Sequence, residues 1–130
     1  MTFPIFNSSG KTIGFGGRVT DDSMPKYLNS KDSKFFNKTR ELYGFNNAKK
    51  DHKTEDFIVT EGYMDVVMLS EYGINNAVAS LGTAFSQNHM NSMFKLRRKI
   101  TFCFDSDEAG LKAAWRALQI SLKNVIDDKT

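Results

Sequence analysis

At 130 residues the chain has room for one domain, or one domain with a small neighbour, and 40% hydrophobic with 25% charged residues excludes wholesale disorder. No apolar stretch approaches the ~20 residues of a membrane span and no charged-then-apolar leader opens the chain, so a cytoplasmic protein without a membrane partner is expected. The net charge of +3 is unevenly held: residues 1–53 carry ten Lys/Arg against five Asp/Glu, and residues 54–130 carry eight against ten.

In chain order, Phe3–Phe6 and Thr12–Phe15 are β-prone runs flanking Asn7-Ser8-Ser9-Gly10-Lys11, which predicts a hairpin. Gly14, Gly16 and Gly17 interrupt the second run; a bulge is the favoured reading, with close backbone approach or a phosphate-binding loop as alternatives. Residues 20–53 are polar and turn-rich, with one helix expected near Phe35 to Leu42, where Phe35, Phe36, Thr39 and Tyr43 would share a face. From Asp56 the pattern changes. Phe57–Thr60 predicts a strand, Gly62 a turn, and Met64 to Tyr72 a helix stopped by Gly73. Asn76–Ala79 predicts a second strand, and Ser86 can cap a helix reaching about Arg98. Ile100–Phe104 predicts a third strand, followed from Asp107 or Glu108 by a helix to about Val125. Its Leu111, Ala114, Trp115, Leu118, Leu122 and Val125 form an apolar stripe. Alternating strands and helices imply an α/β fold with a parallel sheet. The only cysteine, Cys103, is expected as a small buried residue of a central strand.

Two acidic clusters end predicted strands. Glu61 closes the first strand, with Asp65 one helical turn on, and Asp105 and Asp107 follow the third. In a parallel sheet both clusters reach the carboxyl edge, where open α/β sheets bind ligands. Carboxylates crowded there repel one another unless a cation sits between them. Hard oxygen donors suit Mg²⁺ or Mn²⁺, and Mg²⁺ held by a few carboxylates together with substrate phosphates points to phosphoryl chemistry. Neither His52 nor His89 is near the clusters in sequence, and both are expected at the surface. The alternative is that these acids only cap helices.

Glu61-Gly62-Tyr63-Met64-Asp65-Val66 and Asp105-x-Asp107-x-Ala109-Gly110 resemble the two halves of the Toprim signature of primases, topoisomerases and some nucleases. The runs Gly14-Phe15-Gly16-Gly17-Arg18, Pro25-Lys26-Tyr27-Leu28-Asn29-Ser30, Leu42-Tyr43-Gly44, Tyr72-Gly73-Ile74-Asn75 and Ala77-Val78-Ala79-Ser80-Leu81-Gly82-Thr83 are similar, in the same order, to the catalytic core of bacterial replicative primase, the DnaG type. The resemblance implies a Toprim (Rossmann-like) parallel sheet over residues 54–130, flanked by helices. Residues 1–53 would then be part of a small basic α+β subdomain bearing the hairpin. It further implies Glu61, Asp105 and Asp107 as metal ligands and catalytic acids, with Asp65 as a supporting acid. Arg18, Lys26, Tyr27, Asn29 and Lys38 would form a basic face for template or nucleotide, while Lys31, Lys34, Lys49 and Lys50 are taken as solvated charge. The implied function is synthesis of short RNA primers on single-stranded DNA from ribonucleoside triphosphates, with two Mg²⁺ or Mn²⁺ ions, in the bacterial cytoplasm at the replisome.

The family pattern also has a third acidic cluster after a further strand, a zinc-binding module before the core and a helicase-binding module after it. None is found in these residues: Asp127-Asp128 falls in a predicted loop, not after a strand. Zinc and the replicative helicase are therefore assigned to parts of a longer protein, and the fragment alone is expected to be inactive. The competing readings are another Toprim enzyme, a nuclease or topoisomerase subunit, and a non-enzymatic nucleic-acid-binding module.

Overall fold

A computed structural model describes residues 1–19 and 27–127, giving the backbone alone for Tyr27 and for 124–127. Strands β1 (Thr2–Phe6), β2 (Thr12–Arg18) and β3 (Tyr27–Asn29) form an antiparallel sheet in that order. The predicted hairpin is present. Asn7 builds its turn: Oδ1 accepts from the backbone N–H groups of Ser9 and Lys11 at 3.0 and 2.9 Å. A bulge is present beside the first of the glycines: Ile5 pairs with Gly14 and Phe6 with Thr12, which leaves Ile13 as the extra residue on β2, while Gly16 and Gly17 pair regularly. Close approach explains at least one of them, because a Cβ at Gly16 would sit 3.0 Å from both the Tyr63 hydroxyl and Asn29 Oδ1.

The second sheet is parallel, with β4 (Asp56–Thr60) central between β5 (Ala77–Ala79) and β6 (Lys99–Cys103). Successive β4 side chains alternate between faces. Phe57 and Val59 enter a core with Leu42, Val78, Met90, Met93 and Ala117, while Ile58 packs with Val66 and Ala77 on the other side. Between the strands run α2 (Tyr63–Glu71) and α3 (Gln87–Phe94), with α4 (Glu108–Asp127) after β6 and a short α1 (Phe45–Ala48) before β4. Gly73 ends α2 at φ 83°, and the Ser86 hydroxyl accepts from the His89 N–H at the start of α3, both as predicted. No described helix is long and apolar enough to cross a membrane.

Several expectations are corrected. No helix forms near Phe35 to Leu42. Asn37 Oδ1 accepts from the backbone N–H and hydroxyl of Thr39, an alternative to helical bonding, and Tyr43 is drawn into a bridge with Ala79. Phe36 is buried and Phe35 points outward, so the two do not share a face. The third strand lies at the sheet edge, which leaves Cys103 exposed. The stripe on α4 faces out: Leu111, Trp115, Leu118 and Leu122 are exposed while Ala117 meets the core. Asp127 is the last helical residue, not part of a loop, and Asp128 lies outside the described residues.

His89 is buried, not at the surface. Its Nδ1 accepts from the Ser86 N–H at 3.1 Å, so Nε2 carries the proton and donates to the Lys38 carbonyl at 3.0 Å. Burial holds its pKa down, against the backbone bonds from Lys38 and Glu41 that act to raise it. The unfolded chain therefore binds the proton first. The stability His89 confers is full above about pH 6.5 and falls as pH drops through that value toward the folded pKa, by at most about 1.4 kcal/mol per pH unit. Urea midpoints at pH 7.5 and 5.5 check this: the midpoint drops on acidification, and a His89→Asn variant shows a flatter profile.

Candidate functional site

In the β4–β6 register Thr60 lies opposite Cys103, so the residues that follow leave the same edge side by side. Glu61 and Asp105 are 44 residues apart in sequence, yet Glu61 Oε1 accepts the Asp105 backbone N–H at 2.8 Å. Asp65 stands in the first turn of α2, where its Oδ2 accepts from the Gly62 N–H at 3.4 Å, close to the positive end of the helix. Asp107 starts α4: its Oδ1 accepts from the Gly110 N–H at 2.7 Å, satisfying one of the helix's open donors.

Glu61, Asp65 and Asp105 line one cavity of about 300 Å³, together with Asn29, Gly62, Tyr63, Ser80 and Gly82. Asp107 does not line it. A larger cleft of about 540 Å³ opens against β1, α1 and α2, but it contains none of the predicted site residues. Chemistry, and not size, singles out the smaller cavity. Its donors are hard oxygens with no imidazole or thiolate, a set that fits Mg²⁺ or Mn²⁺ and not zinc. Among the described residues no three His, Cys, Asp or Glu side chains are gathered into a set that could hold a metal ion by themselves. Mg²⁺ is commonly held by one or two carboxylates together with waters and substrate phosphates.

Tyr63 joins this edge to the antiparallel sheet. It is buried, and its hydroxyl lies 3.1 Å from the Gly17 carbonyl and 3.3 Å from Asn29 Oδ1. Asn29 also lies against Gly82, where an added Cβ would be 2.6 Å from its Nδ2. Sequence reading missed Tyr63, Ser80 and Gly82 as lining residues, although each belongs to a run it had marked. Of the three predicted basic-face residues whose side chains are described, Arg18, Asn29 and Lys38, Asn29 alone lines the cavity. Arg18 is exposed at the end of β2, paired across the sheet with Tyr27. Lys38 is fixed by its backbone, donating to Asp32 Oδ1 and accepting from His89. Lys26 lies outside the described residues, as does the Tyr27 side chain.

Gly110 closes the geometry. A Cβ there would fall 1.9 Å from the Asp105 carbonyl oxygen and 2.8 Å from Glu61 Oε1. The first turn of α4 thus presses directly on both acids, and only glycine permits it.

The Toprim domain family matches residues 55–127, the part of the chain that carries the parallel sheet and these acids: the chain belongs to that family. Residues 1–49 match the family described as DNA primase catalytic core, N-terminal domain. A DNA primase of Pseudomonas aeruginosa is 52% identical over 130 residues, covering 99% of this chain and 20% of the relative. The chain thus spans about a fifth of the length of that curated relative. A crystal structure of a DNA primase domain from the same organism superimposes with a TM-score of 0.89 at 52% identity, covering 95% of this chain and 39% of that one. A DnaG primase catalytic domain bound to single-stranded DNA gives a TM-score of 0.85 at 48% identity, covering 93% and 38%.

Proposed function

We propose that this chain is part of the RNA-polymerase core of a DNA primase and that its acidic cavity is the site of nucleotidyl transfer. The observation that carries the reading is the meeting of Glu61 and Asp105 around an oxygen-lined cavity at the carboxyl edge. In this reading residues 1–53 belong to the basic N-terminal subdomain and residues 54–130 to the Toprim domain.

Glu61, Asp105 and Asp107 would hold Mg²⁺ or Mn²⁺, with Asp65 in support. When bound, such ions acidify an attacking hydroxyl and offset charge on a leaving pyrophosphate. Little covalent chemistry then falls to the protein. Glu61 would take the proton of a primer 3′-hydroxyl, a role supported by the bond from the Asp105 N–H that fixes the direction of its carboxylate. Asp107 would serve with its second oxygen, because Oδ1 is engaged by Gly110. Arg18, Lys26, Tyr27, Asn29 and Lys38 would orient triphosphate and template by charge and hydrogen bonding, leaving sequence to base pairing. The substrates are ribonucleoside triphosphates and a single-stranded DNA template, the product an RNA primer, and the setting the bacterial cytoplasm. A zinc module and a replicative-helicase contact would belong to other parts of the longer protein.

Capping by Asp65 and Asp107 supports a second reading, in which these acids serve only the helices. Primer synthesis by the longer protein on single-stranded DNA decides between them. The polymerase reading gives labelled RNA that needs Mg²⁺ or Mn²⁺ and disappears with chelator. Metal-dependent nicking of plasmid without nucleotides would instead indicate a nuclease of the same family, and neither activity would leave the acids as caps.

A further inference from the structure

At the opposite, amino edge of the parallel sheet lies a second charged feature. The turn from α3 into β6 carries Lys95, Arg97, Arg98 and Lys99, four cations in five residues of a chain whose net charge is only +3. Arg97 is directed inward. Its guanidinium donates to the carbonyls of Asp56 at 2.7 Å and Ala48 at 2.9 Å, and to that of Asp51, and it lies 4.3 Å from the centre of the Phe57 ring. This ties the turn to the start of β4 and the segment before it. Beside the turn is a cleft of about 510 Å³ whose lining includes Lys49, His52, Leu96, Arg97, Arg98 and Lys99.

Arg98 and Lys99 are exposed, and neither is ion-paired: among the described residues the one salt bridge joins Lys112 and Glu108. Two carboxylates, Asp51 and Glu55, line the cleft against four cations, of which Lys49 and Arg97 are held on backbone carbonyls and Arg98 and Lys99 are exposed. Crowded unpaired cations on a rigid wall repel one another and favour a polyanion that neutralises them together. We propose that this cleft is a second nucleic-acid contact, holding the phosphate backbone of a single strand. The choice of nucleic acid among polyanions rests on the primase reading. Among the described residues no Phe, Tyr or Trp lines the cleft, so contact is electrostatic, salt-dependent and indifferent to base. The five residues of β4 separate the cleft from Glu61 by roughly 16 Å at ~3.3 Å per residue, which lets one strand touch both ends of the sheet.

Fluorescence anisotropy of a labelled oligothymidylate, titrated with the chain over a range of salt without divalent metal, tests this. For Arg98→Ala with Lys99→Ala, the slope of log K against log salt becomes shallower by about 1.4, from ~0.7 per phosphate contact, and low-salt affinity falls at least about tenfold. An unchanged thermal midpoint shows that the fold is intact. Identical slopes for both proteins overturn the proposal, as does binding to anionic phospholipid vesicles but not to the oligonucleotide. Failure of the primase reading is seen separately, as undiminished synthesis after Glu61→Gln, a change at the other end of the sheet that leaves this slope alone.

Discussion

Replacing Glu61 by Gln lowers primer synthesis by the longer protein by about a thousandfold or more, roughly 4 kcal/mol of transition-state stabilisation, while the thermal midpoint stays within a few degrees. The two parts of this expectation have different origins. Glutamine keeps the length and shape of the side chain, and its carbonyl oxygen can still accept the Asp105 N–H that Glu61 now holds at 2.8 Å. The cost to the fold is therefore one charge-assisted bond reduced to a neutral one, of order 1 kcal/mol, on a half-buried residue. The chemistry loses far more. An amide neither takes up a proton at neutral pH nor offers the negative charge that a hard divalent cation requires. A variant that unfolds would show only that Glu61 is structural; a folded variant with near-normal synthesis would remove Glu61 from the mechanism.

Gly110→Ala is expected to damage both stability and activity, and helix propensity alone gives the opposite sign. Within a helix, alanine is favoured over glycine by about 1 kcal/mol. Here Gly110 lies in the first turn of α4 and is buried, and the added methyl would stand 1.9 Å from the Asp105 carbonyl oxygen. That oxygen belongs to backbone and cannot rotate away, so either the helix or the Asp105 turn must shift by more than ~1 Å, since real Cβ contacts begin near 3 Å. Overpacking of this kind costs about 1–3 kcal/mol or more, which for a chain of this size lowers the midpoint by roughly 10 °C. Both atoms in the way are parts of the site, and a displacement of about 1 Å at reacting groups costs on the order of a hundredfold in rate. Thermal unfolding with primer synthesis on the same preparation checks both. A raised midpoint would mean that the helix start is looser than the structure has it.

The parallel sheet was legible because its strands are short apolar runs broken by glycine, and because Ser86 and Gly73 mark helix ends through backbone chemistry confined to a few residues. The convergence of Glu61 with Asp105 was legible for a related reason: alternating strands and helices bring strand ends to a common edge. What escaped depended on contacts distant in sequence. Strand order is not written in any one strand, so β6 was taken as central and Cys103 as buried. His89 reads as polar, but its ring fits between its own helix and the Lys38 carbonyl, 51 residues away. The outward stripe of α4 misled because a small residue, Ala117, makes the close approach to the core. At Asn37 a side chain competing for backbone bonds outweighed the helical spacing of its aromatic neighbours. Of the acids singled out by type and spacing, Glu61, Asp65 and Asp105 line the cavity and Asp107 does not, whereas Tyr63, which pins the two sheets together, looked like an ordinary aromatic in a helix.

Nucleotidyl transfer at this edge requires a doubly charged ion beside Glu61 and Asp105, with Asp107 as the further ligand and Asp65 in support, and Mn²⁺ titration of the isotope-labelled chain followed by NMR reads its position residue by residue. Selective paramagnetic broadening of the amides around Glu61, Gly62 and Asp105, reversed by excess Mg²⁺, is the predicted result. Sharp signals at those positions while other acidic residues broaden would contradict it.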